Sequence, residues 1–214
     1  MRLHEEIEDD DDDGNALATL IGGPGVWDPN TLAFYSSDTR SICIIGEITP
    51  EMSTCIISQI LVLTQEDPDE QINITLNTPG GDAIAGLAIY DAMRLTSCPI
   101  HVCVQGSCAS AGLFILQGGD TRVSYPSSSF YHHEPVCMMS HNTEAGLLSH
   151  AQHYTDIKTR VNDIIKKRSK MSKTTWTKFF EAKTGFYFGA QEALEFKLID
   201  KVLEYPKKSN KKKE

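Results

Sequence analysis

Three parts of this chain hold chemistry: a serine among small residues, a histidine ahead of a proline, and a glycine pair behind an alternating segment. Ser110 lies in Gly106-Ser107-Cys108-Ala109-Ser110-Ala111-Gly112, between two alanines, so nothing bulky crowds its hydroxyl. If a helix begins there, the N–H of Ala111 is one of the first-turn donors that have no intrahelical acceptor. Gly80-Gly81 lack Cβ atoms and can bring bare backbone N–H groups close to a ligand. Two N–H groups aimed at one point form an oxyanion hole, and loss of one such donor costs about 2.7–4 kcal/mol of barrier. A serine hydroxyl also needs a base to take its proton. His132 and His133 come after the serine segment, just before Glu134-Pro135, and a hairpin return would bring an imidazole back to the serine. From residue types alone, an ordinary turn, close packing and a hydrogen-bonded strand histidine account for the same residues.

The elements that must position these groups read as an α/β domain. Residues 42–45 form a short continuous apolar run, as a strand buried on both faces does. Thr49-Pro50-Glu51 is a helix start, with a capping hydroxyl, proline at the first helical position and an acid near the positive dipole end. Ile56, Ile60 and Leu63 then recur at helical spacing until Asp67-Pro68 breaks the pattern. Residues 71–77 alternate as a strand and run into Thr78-Pro79-Gly80-Gly81. A second helix is expected to carry Ile84, Leu87, Ala88 and Leu95 on its apolar side. Residues 100–104 read as the next strand, 121–124 and 129–133 as short ones, and 143–170 as a long helix bearing Tyr154, Ile157, Val161, Ile164 and Ile165 on one face. Alternating strands and helices imply right-handed crossovers and a largely parallel sheet. The long helix is expected to protrude and pack against another subunit.

Bulk properties narrow the class. The 214 residues, 40% hydrophobic, suit one α/β domain with a single core. No stretch approaches a membrane span, and the first residues lack the apolar segment of a signal peptide; a cytoplasmic protein is expected. The six cysteines form no CxxC pair and sit mostly in apolar runs, as reduced buried thiols do. There is no HExxH or other zinc spacing, and no GxxxxGK[ST] phosphate loop, so neither metal nor nucleotide is expected in this chain. The net charge of −9 is uneven: residues 5–13 are acidic except Ile7, and the C-terminus is lysine-rich. Residues 1–38 read as a mobile acidic arm, 39–204 as the folded domain and 205–214 as a basic disordered tail. One short basic cluster on an acidic protein does not point to nucleic acid.

Several ordered motifs resemble one family. Asn77-Thr78-Pro79-Gly80-Gly81, followed by Ala85-Gly86-Leu87-Ala88-Ile89-Tyr90-Asp91-Ala92-Met93, is similar to the Asn-Ser-Pro-Gly-Gly turn and adjoining helix of the ATP-dependent Clp protease proteolytic subunit (ClpP). The segment 106–112 resembles that family's nucleophile motif, Gly-x-Ala-Ala-Ser-Met-Gly. Tyr131-His132-His133-Glu134-Pro135 resembles Met-Ile-His-Gln-Pro, and Ala190-x-Glu192-Ala193 with Leu198-Ile199-Asp200 resembles the closing segment. The resemblance implies a ClpP/crotonase-like fold with repeated ββα-like units and a protruding handle helix. It implies Ser110 as nucleophile, His133 rather than His132 as base, and the amides of Gly81 and Ala111 as the oxyanion hole of a serine endopeptidase. It further implies stacked heptameric rings, a tetradecamer of this subunit, fed with unfolded protein by an ATP-driven AAA+ unfoldase. On this reading no cofactor sits in this subunit, and neither nucleic acid nor membrane is a partner.

Two departures from the pattern stand out. The family's third triad member, an aspartate, aligns with Gly185, beside Thr184, and neither can orient His133 as a carboxylate does. Loss of that acid can cost a triad about 10⁴ in turnover. The replacements open to the chain are a dyad, another acid such as Glu134 or Glu181, or an inactive subunit completing mixed rings. The acidic N-terminal run is the second departure; lining an entry pore, it would favour basic peptides. A crotonase-type acyl-CoA enzyme would also use two backbone amides, but would not need the serine–histidine pair.

Overall fold

In the computed structural model, residues 26–28, 33–134, 143–169, 171–180 and 185–206 are described. The acidic run at 5–13, the basic tail from 207, Cys137, Glu181 and Thr184 lie outside them.

The sheet is built on alternation. In β4 (Ile72–Thr78) residues 72, 74, 76 and 78 are buried while those between are half-covered, and Ile100, Val102 and Val104 repeat this in β5 (Ile100–Ala109). β3 (Ser41–Ile45) pairs parallel with β4, β4 with β5, and β5 with β6 (Thr121–Ser124). Each crossover steps to the next strand in the same direction. Right-handed connections therefore place α1 (Pro50–Glu66), α2 (Ala83–Leu95) and α3 (Ala111–Leu116) on one face.

α1 starts as its sequence dictates: the Thr49 hydroxyl accepts the Met52 N–H at 3.2 Å and Pro50 opens the first turn. Its buried face is Met52, Ser53, Ile56, Ile60 and Leu63; burying each large aliphatic side chain contributes roughly 1.5–3 kcal/mol. The end of α1 is held by Arg40, which is buried and donates to the carbonyls of Leu63, Asp67, Glu70 and Gln71 at 2.8–3.3 Å. The expected apolar face of α2 is corrected. Its buried residues are Ala85, Gly86, Ile89 and Met93, whereas Ile84 and Leu95 are exposed. The helix forms where expected, and Leu87 packs half-buried against the core, but the face is turned about one residue, with Gly86 where a Cβ would meet the Phe114 ring at 2.8 Å.

Two strands, β1 (Val26–Asp28) and β2 (Ala33–Ser36), add antiparallel to the β3 edge, so the sheet begins upstream of the boundary expected near residue 39. Downstream, β7 (Ser129–His132) pairs with the end of β5 and, antiparallel, with β8 (Phe186–Gly189). β9 (Lys201–Val202) closes the far side on β6. The mixed sheet therefore has a parallel centre and antiparallel additions. Long α4 (Glu144–Ser169) buries Val161, Ile165 and Ser169 against the body and exposes Leu147 and Leu148. Short α5 (Lys173–Phe180) and α6 (Ala190–Glu195) complete the chain.

Among the described residues no helix is long and apolar enough to cross a membrane, and no group of three His, Cys, Asp or Glu is arranged to hold a metal ion. The five described cysteines are free thiols; Cys43, Cys98 and Cys108 are buried, and burial raises the Cys108 pKa well above its ordinary value.

Candidate active site

The site is made by one strand that changes partners. Residues 101–104 of β5 pair with β6, while Ser107, Cys108 and Ala109 pair with Ser129, Phe130 and Tyr131 of β7. Between these halves the β4–β5 register shifts, from Leu76↔Val104 to Thr78↔Cys108, so β5 gains two residues around Gly106. Such a bulge bends a strand and re-aims the residues beyond it. Asn77 holds it, its side-chain oxygen accepting the Ser107 N–H at 2.9 Å. The end of β5 is thereby laid beside the end of β7, and Ser110 beside the histidines.

Ser110 occupies the turn between β5 and α3 with φ 52° and ψ −114°. A non-glycine residue in such a conformation carries roughly 1–3 kcal/mol of strain that the surroundings must impose. Those surroundings are visible. The Ser110 N–H donates to the Tyr131 carbonyl at 2.9 Å, and the Ser110 carbonyl accepts the Leu113 N–H at 3.0 Å. A sharp strand-to-helix turn of this kind lifts a side chain off the sheet and exposes it, as in the nucleophile elbow of hydrolases. Ala111, next in the chain, is the first residue of α3, so its N–H belongs to the unpaired first turn.

The Gly80-Gly81 turn packs directly on this elbow. A Cβ on Gly80, at φ +97°, would lie 2.5 Å from the Ser110 Cβ and 3.1 Å from the Ala111 nitrogen. Ile48 fixes the turn from behind, donating its N–H to the Gly80 carbonyl and accepting the Asp82 N–H, both at 2.8 Å. In an extended chain neighbouring backbone groups alternate in direction, so the N–H of Gly81 points away from Ile48.

Ser110, Ala111, Gly81 and His133 all line one cavity of about 520 Å³. Phe114, Ile157, Val161 and Ile165 form its apolar wall, and Glu47 and Asp82 also border it. Sequence reading missed that α4 supplies a wall, along with His150, His153 and Tyr154; its 3.6-residue period showed a buried face but not what that face borders. Among the described residues no hydrogen bond joins the Ser110 hydroxyl to the His133 imidazole. The structure brings the two to the same cavity without closing the contact.

The neighbouring histidines have different surroundings. His132 is buried, edge-on to Phe186; this burial, aided by the charge of His133 and only partly opposed by Glu134, pushes its pKa from the ordinary 6.5 down to about 4. It is neutral near pH 7. His133, half-buried just past the end of β7, stacks on the Tyr131 ring, centroids 5.3 Å apart and planes 19° from parallel, and both histidines border the cavity. Glu134, one of the acids considered for orienting His133, is instead paired with Lys158 of α4 at 2.5 Å, which holds its carboxyl below the usual range. Gly185 lies against Tyr131 and the His132 carbonyl, and among the described residues no carboxylate hydrogen-bonds His133.

Comparison with known proteins identifies the family. The family model described as Clp protease matches residues 31–206. The ATP-dependent Clp protease proteolytic subunit 2 of Chlamydia pneumoniae is 34% identical over 175 residues, covering 80% of this chain and 84% of that protein. With the parallel-centred α/β sheet and helices in the order the resemblance implies, this chain belongs to the Clp protease family and has its ClpP-type fold.

Proposed function

We propose that the chain is a serine endopeptidase subunit of a Clp-type compartmentalised protease, with Ser110 as nucleophile and His133 as base. The observation that carries this reading is the elbow: a strained serine, set against a glycine pair, sharing a cavity with a histidine. Ser110 Oγ adds to the scissile carbonyl carbon as its proton passes to His133, and the N–H groups of Gly81 and Ala111 receive the developing oxyanion. The C–N bond then breaks, His133 protonates the departing amine, and water hydrolyses the acyl-enzyme with its proton returning through His133 to Ser110. Catalytic hydrogen bonds are often long in the free enzyme and tighten with substrate, so the open Ser110–His133 contact fits a resting state. The apolar wall suits an extended, unfolded chain.

The subunit works within stacked heptameric rings in the cytoplasm, supplied by an AAA+ unfoldase that spends the ATP; no cofactor is bound by this chain. The exposed Leu147 and Leu148 near the start of α4 support its use as a handle between rings. A fluorophosphonate probe on the full-length protein tests the chemistry. Labelling that vanishes in Ser110→Ala is expected, and an intact but unlabelled ring would overturn the assignment. Gly185 favours a second reading, a catalytically silent subunit completing a mixed ring, and the same experiment separates the two.

A further inference from the structure

The place where a carboxylate would hold the base is filled. The β7–β8 register pairs Tyr131 with Tyr187 and His132 with Phe186, and one more step sets Gly185 opposite His133. A Cβ on Gly185 would collide with the Tyr131 hydroxyl oxygen and lie 2.6 Å from the Tyr131 Cζ. The phenol, with the His132 carbonyl oxygen 2.7 Å from the same point, takes the room that any side chain at 185 would need. Its ring lies between two others: Tyr187 stacks on it at 4.3 Å with planes 27° apart, and the His133 imidazole at 5.3 Å and 19°. Tyr131, His133 and Tyr187 thus share one side of the β7–β8 ribbon, while Phe130 and Phe188 stack on the buried side.

We propose that Tyr131 is the positioning residue of this site, holding the His133 imidazole by a near-parallel, offset stack, backed by Tyr187, in the place where the rest of the family uses a carboxylate. This rests on reading His133 as the base. The missing side chain at 185 and the phenol at 131 belong to one exchange: the ring, together with the His132 carbonyl, fills the room that an acid would need. The exchange also changes what is held. A carboxylate accepts one ring N–H and so selects the tautomer; a stack fixes the plane of the imidazole and leaves both nitrogens free.

The test uses the full-length protein and four variants: Tyr131→Phe, Tyr131→Met, Gly185→Asp and the double change Tyr131→Met/Gly185→Asp. Labelling rate with a fluorophosphonate and kcat and KM on a peptide ester are measured, and the His133 ring protons are followed by NMR in a Ser110→Ala background. Tyr131→Phe keeps the ring and stays within about twofold of the parent. Tyr131→Met keeps the bulk and loses the ring; kcat falls about fivefold, the worth of one aromatic stack, with KM unchanged. The His133 signals lose their upfield ring-current shift. Gly185→Asp alone loses labelling for want of room, and the double variant, with the His132 carbonyl still 2.7 Å from the added Cβ, stays below Tyr131→Met. If Tyr131→Met does not fold, Tyr131→Leu replaces it in both roles. A Tyr131→Met protein that labels at the parent rate, or His133 signals unmoved by it, overturns the proposal. A parent that never labels, yet shows a His133 shift that disappears in Tyr131→Met, removes the peptidase reading and leaves the stack.

Discussion

Tyr131 touches both members of the candidate dyad, accepting the Ser110 N–H on its carbonyl at 2.9 Å and carrying the His133 ring on its own. The backbone bond extends the β5–β7 ladder one step beyond Ala109 and fixes where the strained residue sits. The strain at Ser110 is thus imposed by strand pairing on one side and by the first turn of α3 on the other.

That strain is measurable. Glycine adopts φ near +52° without cost to its side chain, so Ser110→Gly should be more stable than Ser110→Ala by about 1 kcal/mol, after allowing for the entropy glycine gains when unfolded. Both variants lack the hydroxyl and should be unlabelled by a fluorophosphonate. Urea denaturation of the pair supplies the comparison; equal midpoints would mean that the turn relaxes freely.

Gly80 gives a steric prediction. The methyl group of Gly80→Ala would sit 2.5 Å from the Ser110 Cβ and 2.8 Å from the Ala109 carbonyl oxygen, on a backbone at φ +97°. The elbow must move, carrying Ser110 and the Ala111 N–H with it. Peptidase turnover is expected to drop by about 10²-fold, the cost of losing one oxyanion donor, with a stability loss of about 1–3 kcal/mol. Parallel kcat and melting measurements check both parts.

His132 should make the protein acid-sensitive. Its folded pKa, about 4, lies below the ordinary 6.5, so between these values the unfolded chain binds more protons than the folded one. Its neutral burial is tolerated in full above pH 6.5, and stability falls as pH drops towards 4, by up to about 3 kcal/mol in total. His132→Phe places an uncharged ring against Phe186 and should flatten that slope. Unfolding free energies at pH 7 and 4.5 for both proteins test it; identical slopes would clear His132 of the effect.

Arg40 predicts a loss that lysine does not restore. Its guanidinium serves four carbonyls around the end of α1, and a lysine ammonium has three donors without the planar fork. Arg40→Met should cost about 1–3 kcal/mol by removing the donors that gather these carbonyls, of which only the bond to Leu63 is fully buried, and Arg40→Lys should recover less than half. Thermal unfolding of the three proteins decides it.

The parallel centre of the sheet, the start and stop of α1 and the position of α3 were legible in the sequence because periodicity, a capping threonine and prolines act locally. The buried face of α2 was not, since Ile84 and Leu95 look apolar wherever they point, and close packing on Phe114 selected Gly86 instead. The strands at 26–28 and 33–36 hide among turn residues; only the pairing of β1 with β2, and of β2 with β3, makes them strands. At the site, Ser110 and the glycine pair could be named from type and order, whereas His133 was preferred to His132 only on the resemblance. The ring stack on Tyr131 could not, because it depends on the β7–β8 register, which joins residues far apart in the chain. Glu134 was a fair candidate from its neighbours in sequence, and it is Lys158, on one face of a distant helix, that claims it.

The two residues by which β5 outruns β4 near Gly106 have a consequence for what the chain can tolerate. Side chains on a strand alternate between faces, so an even excess preserves parity: Cys108 still faces the core, on the side of Val102 and Val104. Removing one residue at this point, rather than two, would turn Cys108 out of the core and put Ser107 and Ala109 on the wrong faces, so that the turn at Ser110 would leave the sheet from the wrong side. Length changes here are admissible only in pairs, and the candidate serine is in that sense counted into place.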